Sequence, residues 1–391
     1  MANLPQDIIA DILSRLEVKQ LLCYRCVSKT WRKLIDGPDF IKLHLTNSIS
    51  SSSNQLLILK HSKNLYRVSS DSLNLASVLD HPLMCYNHSV KLLGSCNGLL
   101  CISNIVDDIA FWNPCTRRHR VLPYLSLEHK KFSGASVYSS SVYGFGYDLI
   151  HDDYKLVRIT QFCGVQNEIF ESEVKVFSLI RNYWTRIRDM PYVLRCPETD
   201  GVYACGALHW VVRRNVKFEE CNIVVALDLA AEQYKEVLLP KFDGKNFVEV
   251  GVLGGCLSVV ANYAKFRSDV WVMKEYGMED SWINLFSVSQ EQLLGPLRAI
   301  RPLGYCMGGS EVLLTEYTTT NPLRYDLKKN VVKDVRISRA PCRYNVETCL
   351  QSLVSINVNR GNNRRNQVAG DYAKNVKKRD DFLSVGFKLI L

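Results

Sequence analysis

Fourteen cysteines, eight histidines and 39 acidic residues give this 391-residue chain ample side chains for metal binding or proton transfer. Their spacing argues against both. Cys23 and Cys26 make a Cys-x-x-Cys pair, but a tetrahedral zinc site needs a second pair at matching spacing, and the sequence lacks one. The two read as small helix-packing residues. Asp148, Asp152 and Asp153 cluster between Tyr147 and Tyr154. A hard cation needs more oxygen ligands at regular intervals, so the three are expected to form a turn between two strands. Gly144-x-Gly146 lacks the third glycine and the helix that a dinucleotide site requires. No nucleophile elbow, phosphate-binding loop or paired-histidine metalloprotease motif occurs. These absences imply a binding protein with no cofactor and no catalytic residues, and the protein is expected not to be an enzyme.

The other cysteines lie mostly in apolar runs such as Leu100-Cys101-Ile102 and read as reduced core residues. Asp7 and Asp11 interrupt the first apolar run, so it is no secretory leader, and the uncharged stretch Val250 to Ala264 is too short and glycine-rich to span a bilayer. A soluble protein with no membrane span, cytoplasmic and nuclear, is expected. The formal net charge of +10 is concentrated at Arg117-Arg118-His119-Arg120, at Arg213-Arg214 and near the C-terminus. Aromatics are not interleaved with these clusters as a base-stacking surface requires, which disfavours nucleic acid and leaves acidic partners or solubility.

The elements that would position binding residues begin at residues 4 to 45. Pro5 suits a first helical turn, Asp7 lies near the positive helix end, and Ile8, Ile9, Ile12, Leu13 and Leu16 recur at helical spacing. Val18, Leu21, Leu22 and Val27 continue the pattern. Ser28 can cap a third short helix carrying Trp31, Leu34 and Ile35, and Gly37-Pro38 ends it before a last turn with Phe40 and Leu43. So small a bundle cannot bury a self-sufficient core, so its spare apolar surface is expected to dock a partner.

This pattern resembles the F-box: Leu4-Pro5, Asp7-Ile8-Ile9-x-x-Ile12-Leu13-x-x-Leu16, Cys26-Val27-Ser28-Lys29-x-Trp31 and Pro38-Asp39-Phe40. The resemblance implies a surface that binds a Skp-type adaptor, and through it a cullin-RING ubiquitin ligase, with Leu4, Pro5, Ile8, Ile12 and Leu16 as the central contacts. Trp31 is expected in the bundle core. Glu17 stands where many plant members carry proline, which loosens a turn without removing an apolar contact.

Residues 47 to 54 are polar and serine-rich, a composition that predicts a flexible linker. Beyond them, short runs rich in Val, Ile, Leu, Tyr and Trp alternate with Gly, Asn, Asp and Pro, which is strand-and-turn text. A pair of strands recurs six times: Leu56 with Leu65, Gly98 with Ile109, Tyr154 with Val174, Gly206 with Val224, Leu257 with Val270, and Val312 with Leu323 as starting residues. The spacing suits the blades of a kelch-like propeller, whose closure removes open sheet edges, better than a two-layer sandwich. Ser352 to Ile356 is expected to be the strand that closes the ring. The predicted fold is therefore mainly β: a small N-terminal α-helical bundle (1–46), the linker (47–54), a six-bladed β-propeller (55–358) and a basic, disordered tail with an apolar end (359–391).

The phrases Gly94 to Ile102, Phe111 to Pro123, Tyr143 to Ile159, Glu173 to Leu179 with Asn182-Tyr183-Trp184, and Gly206 to Val212 resemble the plant F-box-associated interaction domain. Within that family the chain resembles the subgroup named for constitutive expression of pathogenesis-related genes, with the S-locus F-box subgroup as alternative. The resemblance implies a substrate receptor that recruits an immune receptor, or in the alternative a pistil ribonuclease, for ubiquitination and proteasomal degradation. A non-ligase interaction protein is a third reading. Recognition is expected on the loops Asn104 to Asp108, Cys163 to Ser172 and Arg213 to Glu220, since loops on a rigid scaffold carry binding while strands carry packing.

Overall fold

The computed structural model describes residues 5–356 apart from 52–53, 71, 85–87, 105–107, 126–136, 165–169, 197–198, 215–222, 243–246, 264–265, 293–298 and 317–321. Leu4 and the expected tail 359–391 lie outside the described residues. Four helices open the chain: α1 (Gln6–Ser14), α2 (Val18–Tyr24), α3 (Lys29–Ile35) and α4 (Pro38–Ser50). Leu13, Val18, Leu21, Ile35 and Phe40 form their shared core. Ser28 caps α3 by accepting the Trp31 N–H at 3.1 Å. Glu17 is the N-cap of α2, and its backbone N–H donates to Gln20 Oε1 at 3.3 Å, so a capping contact holds the turn in place of proline's fixed φ. Trp31 is half-buried and meets Tyr24 edge-on at 5.6 Å, at the rim of the core rather than inside it.

The serine-rich segment departs from expectation. α4 continues through Ser50, so residues 47–50 are helix and not flexible link. Asn47 donates to Ser14 Oγ at 2.7 Å, and the buried Ser48 accepts from Asn54 at 3.1 Å. These tertiary bonds outweigh the weak helix propensity of serine and asparagine.

Six antiparallel sheets follow, each a blade. Given from the innermost strand outward, blade 1 is Asn345–Leu350, Gln55–His61, Asn64–Ser69 and Ser77–Leu79; blade 2 is Val90–Cys96, Leu99–Asn104, Ile109–Asn113 and Arg118–Val121; blade 3 is Val137–Asp148, Asp153–Gly164, Phe170–Ser178 and Tyr183–Arg186. In blade 4 the inner position is divided between Val193–Leu194 and Val202–Ala204, both paired with Ala207–Arg213, ahead of Ile223–Asp228 and Tyr234–Val237. Blade 5 is Phe247–Leu253, Cys256–Tyr263, Arg267–Met273 and Trp282–Ser289, and blade 6 is Ile300–Cys306, Glu311–Glu316, Leu323–Asp326 and Val331–Asp334. The recurring strand pairs of the sequence are the two middle strands of all six blades.

Ring closure lies earlier than the sequence suggested. Asn345–Leu350 pairs with Gln55–His61, with Lys60 opposite Asn345 and Gln55 opposite Leu350, so chain ends share one sheet. Residues 352–356 form no strand. Val346 and Cys349, on opposite faces of this strand, pack into the seams on either side of blade 1, whereas Ser352 leaves the ladder.

Apolar side chains fill each blade-to-blade seam. Mixed aliphatic and aromatic clusters join blades 3 and 4, 6 and 1, 5 and 6, 1 and 2, and 4 and 5. The seam between blades 2 and 3 is aromatic, with the Phe111 ring tilted against Phe145 at 4.7 Å and edge-on to Phe177 at 5.8 Å.

Candidate functional site

On α1, Ile8 and Ile12 stand one helical turn apart and are 46% and 52% exposed, while Ile9 and Leu13 turn to the core. Large aliphatic side chains held at i and i+4 on the outside of a helix have no folding role to explain them, since burial of each would contribute roughly 2 kcal/mol. Pro5 precedes them as the N-cap. Leu16 sits past the end of α1, half-buried against the bundle core, and its carbonyl accepts a hydrogen bond from His44 Nε2 at 3.0 Å. Of the expected contacts, the structure thus presents Pro5, Ile8 and Ile12 outward and turns Leu16 inward. Val27, which continued the helical pattern in the sequence, lies between α2 and α3 and is 65% exposed. Both Cys23 and Cys26 are exposed as well, so they do not pack the helix.

A strap from the far end of the chain fixes the bundle to the propeller. Leu353 enters the bundle core beside Leu13 and Phe40, with Cys115 packed against the same cluster. The buried Asn113 amide donates to the carbonyls of Ser352 (3.0 Å) and Val354 (2.9 Å), and its oxygen accepts from the N–H groups of Cys115 and Thr116. Ser352 Oγ donates to the Asn97 carbonyl at 2.7 Å. Gly98, at φ +82°, lies so near Ser352 Oγ that any Cβ there would collide with it. Thus Gly98 and Asn113, which the sequence placed at the start of a strand and within a family-like phrase, also hold the segment that anchors the bundle. Lys42 of α4 adds an exposed ion pair of 2.7 Å to Asp152 of blade 3.

The acidic trio Asp148, Asp152 and Asp153 forms the turn expected of it. Asp148 accepts from the N–H groups of Ile150 and His151 and pairs with Lys155 at 3.0 Å. Burial alone would raise its carboxyl, but the Lys155 and His151 hydrogen bonds bring it below its ordinary value. Asp153 holds Ser178 Oγ and the Ile180 N–H, and Asp152 holds Lys42 and the Tyr147 hydroxyl. The three carboxylates therefore serve three separate sets of partners.

Family models match the chain in two parts: the F-box domain over residues 1–43 and the F-box associated beta propeller domain over residues 49–356. The chain belongs to the F-box proteins that carry an F-box-associated β-propeller. It is 36% identical over 417 residues to F-box protein CPR1 of Arabidopsis thaliana, covering 100% of both chains. It is 30% identical over 410 residues to F-box protein At4g22390 of the same plant, again over 100% of each, and 30% identical to F-box/kelch-repeat protein At3g23880 over 80% of this chain and 85% of that one. Among the described residues, no helix is long and apolar enough to cross a membrane.

Among the described residues, the F-box and its strap meet the propeller at turns of one kind: Ser352 of the strap at Asn97 between first and second strands of blade 2, the bundle core at Cys115 between its third and fourth, and Lys42 at Asp152 between first and second strands of blade 3. In an antiparallel four-stranded blade these turns share one edge, and the second-to-third connections emerge from the other. Asn104 and Ile109, Gly164 and Phe170, and Arg213 all end or begin middle strands on that other edge. The three loops nominated from the sequence are therefore rooted on the propeller face opposite the F-box, although 105–107, 165–169 and 215–220 lie outside the described residues. Sequence reasoning missed the two-faced arrangement because it depends on strand direction in space, for which no residue pattern codes.

Proposed function

We propose that this F-box protein is the substrate receptor of a Skp-cullin-F-box ubiquitin ligase acting in the cytoplasm and nucleus: α1 binds the adaptor and the propeller binds the target. The observation that carries the reading is the outward pair Ile8 and Ile12, which the bundle leaves exposed even with Leu353 added to its core. Burying that pair under an adaptor would remove about 4 kcal/mol worth of apolar exposure. The strap through Asn113 and Leu353 holds the adaptor side and the loop-bearing far face at a set separation, so a target is presented across the propeller to the ligase. The receptor does no bond-making; its contribution is proximity. Resemblance to the subgroup that includes CPR1 supports an immune receptor as the target class.

Co-expression of the full chain with a Skp-type adaptor tests this. Ile8→Asp/Ile12→Asp is expected to abolish co-purification while the propeller melts as in the wild type, because exposed sites tolerate charge. Undiminished adaptor binding by that variant would overturn the proposal.

A further inference from the structure

On the propeller face away from the F-box, blades 3, 4 and 5 bring together two arginines that have no acidic partner among the described residues. The inner strand of blade 4 leaves its sheet after Leu194, and the Arg195 N–H still donates to Val211 at 3.1 Å while Val193 pairs with Arg213. Strand alternation therefore puts Arg195 and Arg213 on the same side of the sheet. The Arg195 guanidinium lies 4.5 Å over the ring of Phe247, the first residue of the inner strand of blade 5. Arg213 has its Nε buried with no hydrogen-bond partner. Tyr138, 53% exposed, stands at the corresponding end of blade 3.

The described carboxylates nearby are engaged elsewhere. Glu236 holds Arg214 at 2.8 Å and the Tyr192 hydroxyl at 3.0 Å. Asp200 holds Lys91 at 3.2 Å, Glu347 holds Arg301 at 3.2 Å, and Glu249 has another partner. The contrast between neighbours is informative, because Arg214 is neutralised by Glu236 whereas Arg213 is not. Two like charges brought together without a counter-ion repel, and burial together with the charge of Arg213 lowers Arg195 from its ordinary value. A ligand with two or more anionic oxygens would relieve that repulsion and satisfy the orphaned Nε, and the guanidinium fork suits carboxylate and phosphoryl geometry.

We infer that Arg195 and Arg213, flanked by Tyr138 and Phe247, form the recognition site for an acidic segment of the target protein. This rests on the substrate-receptor reading and specifies the chemistry of what the propeller accepts. The aromatic rings supply rigid apolar contact beside the anion, and the chain's net charge of +10 attracts such a partner before contact.

The test uses the full-length protein with three fluorescent probes: an oligoglutamate peptide, the same backbone as alternating phosphoserine and glycine, and a single-stranded DNA oligomer of equal charge. Wild type is expected to bind at least one of the two peptides more tightly than the DNA, and the preferred peptide separates carboxylate from phosphate as the anion. Arg195→Gln/Arg213→Gln is expected to weaken that binding by about tenfold or more, and Arg214→Gln by far less. Arg195→Lys/Arg213→Lys, which keeps the charge and loses the fork, guards against misfolding and should retain part of the affinity. Equal affinity of wild type and the double Gln variant, or preference for DNA over both peptides, would overturn the inference. Adaptor co-purification is measured on every variant: its retention alongside failed peptide binding removes this site alone, whereas its loss in the wild type removes the receptor reading.

Discussion

The F-box and the propeller solve the problem of burial in opposite ways. The propeller completes its own core: six seams carry fully buried aliphatic or aromatic side chains, and the closing strand Asn345–Leu350 completes blade 1 and with it the ring. The bundle borrows Leu353 from the other end of the chain and still leaves Ile8, Ile12 and Val27 outside. A region that closes on itself is scaffold, whereas one that is both assisted and left incomplete is built to meet a partner. That contrast is the structural ground for proposing that the adaptor binds the bundle.

Breaking the ring should have the largest effect. Val346→Asp puts a carboxylate into the seam between blades 6 and 1, at a cost of several kcal/mol, and is expected to unfold the whole propeller cooperatively in urea. A variant that frays only blade 1 while the rest keeps its transition would show that closure is not what stabilises the ring. Next, Leu353→Ala removes a methyl cluster from the bundle core, with an expected loss of about 2 to 4 kcal/mol confined to the F-box. Limited proteolysis should then release the bundle and leave the propeller intact. Protection of the bundle equal to wild type would mean that it is self-sufficient after all.

Titration gives a smaller and more gradual test. His209, buried in blade 4 against Tyr276 at 2.9 Å, is lowered by burial from 6.5 to about 4. The fold holds its neutral form, so its contribution is complete above pH 6.5 and is lost as the pH falls from there towards about 4. Full titration costs roughly 3 kcal/mol. His209→Gln should flatten the acid limb of the stability profile measured by urea unfolding between pH 7 and pH 4; an unchanged limb would place the sensitivity elsewhere. His44 in the bundle is also lowered by burial, against the opposing Leu16 bond, so its effect has the same sign. Least affected should be Lys42→Ala at the junction. Its exposed pair with Asp152 is screened by solvent, and no change in melting is expected, so a clear loss would make charge, not Leu353, the clamp between the two regions.

Much of this was legible locally. The helices showed themselves by apolar spacing and by Ser28, and each blade by its two middle strands, where side chains alternate or run continuously apolar. Trp31 was misjudged because an aromatic at core spacing near a short helix can sit at the rim as easily as inside. The serine-rich stretch 47–50 was misjudged because its hydrogen bonds to Ser14 and Asn54 are tertiary and leave no trace in composition. Leu4, whose structure is not described, rests on the family resemblance alone.

The sequence by itself determined the two-part architecture, the six strand pairs and the family, since periodicity and turn chemistry act over a few residues. Only the tertiary structure decided which strand closes the ring, that Leu353 completes the bundle, that the F-box and the variable loops occupy opposite faces, and that Arg195 stands with Arg213 while Arg214 is paired. Those facts depend on residues far apart in the chain, such as Asn113 and Val354, 241 positions distant. Contacts at that range are set by the directions in which whole blades pack, and a linear pattern carries no record of direction in space.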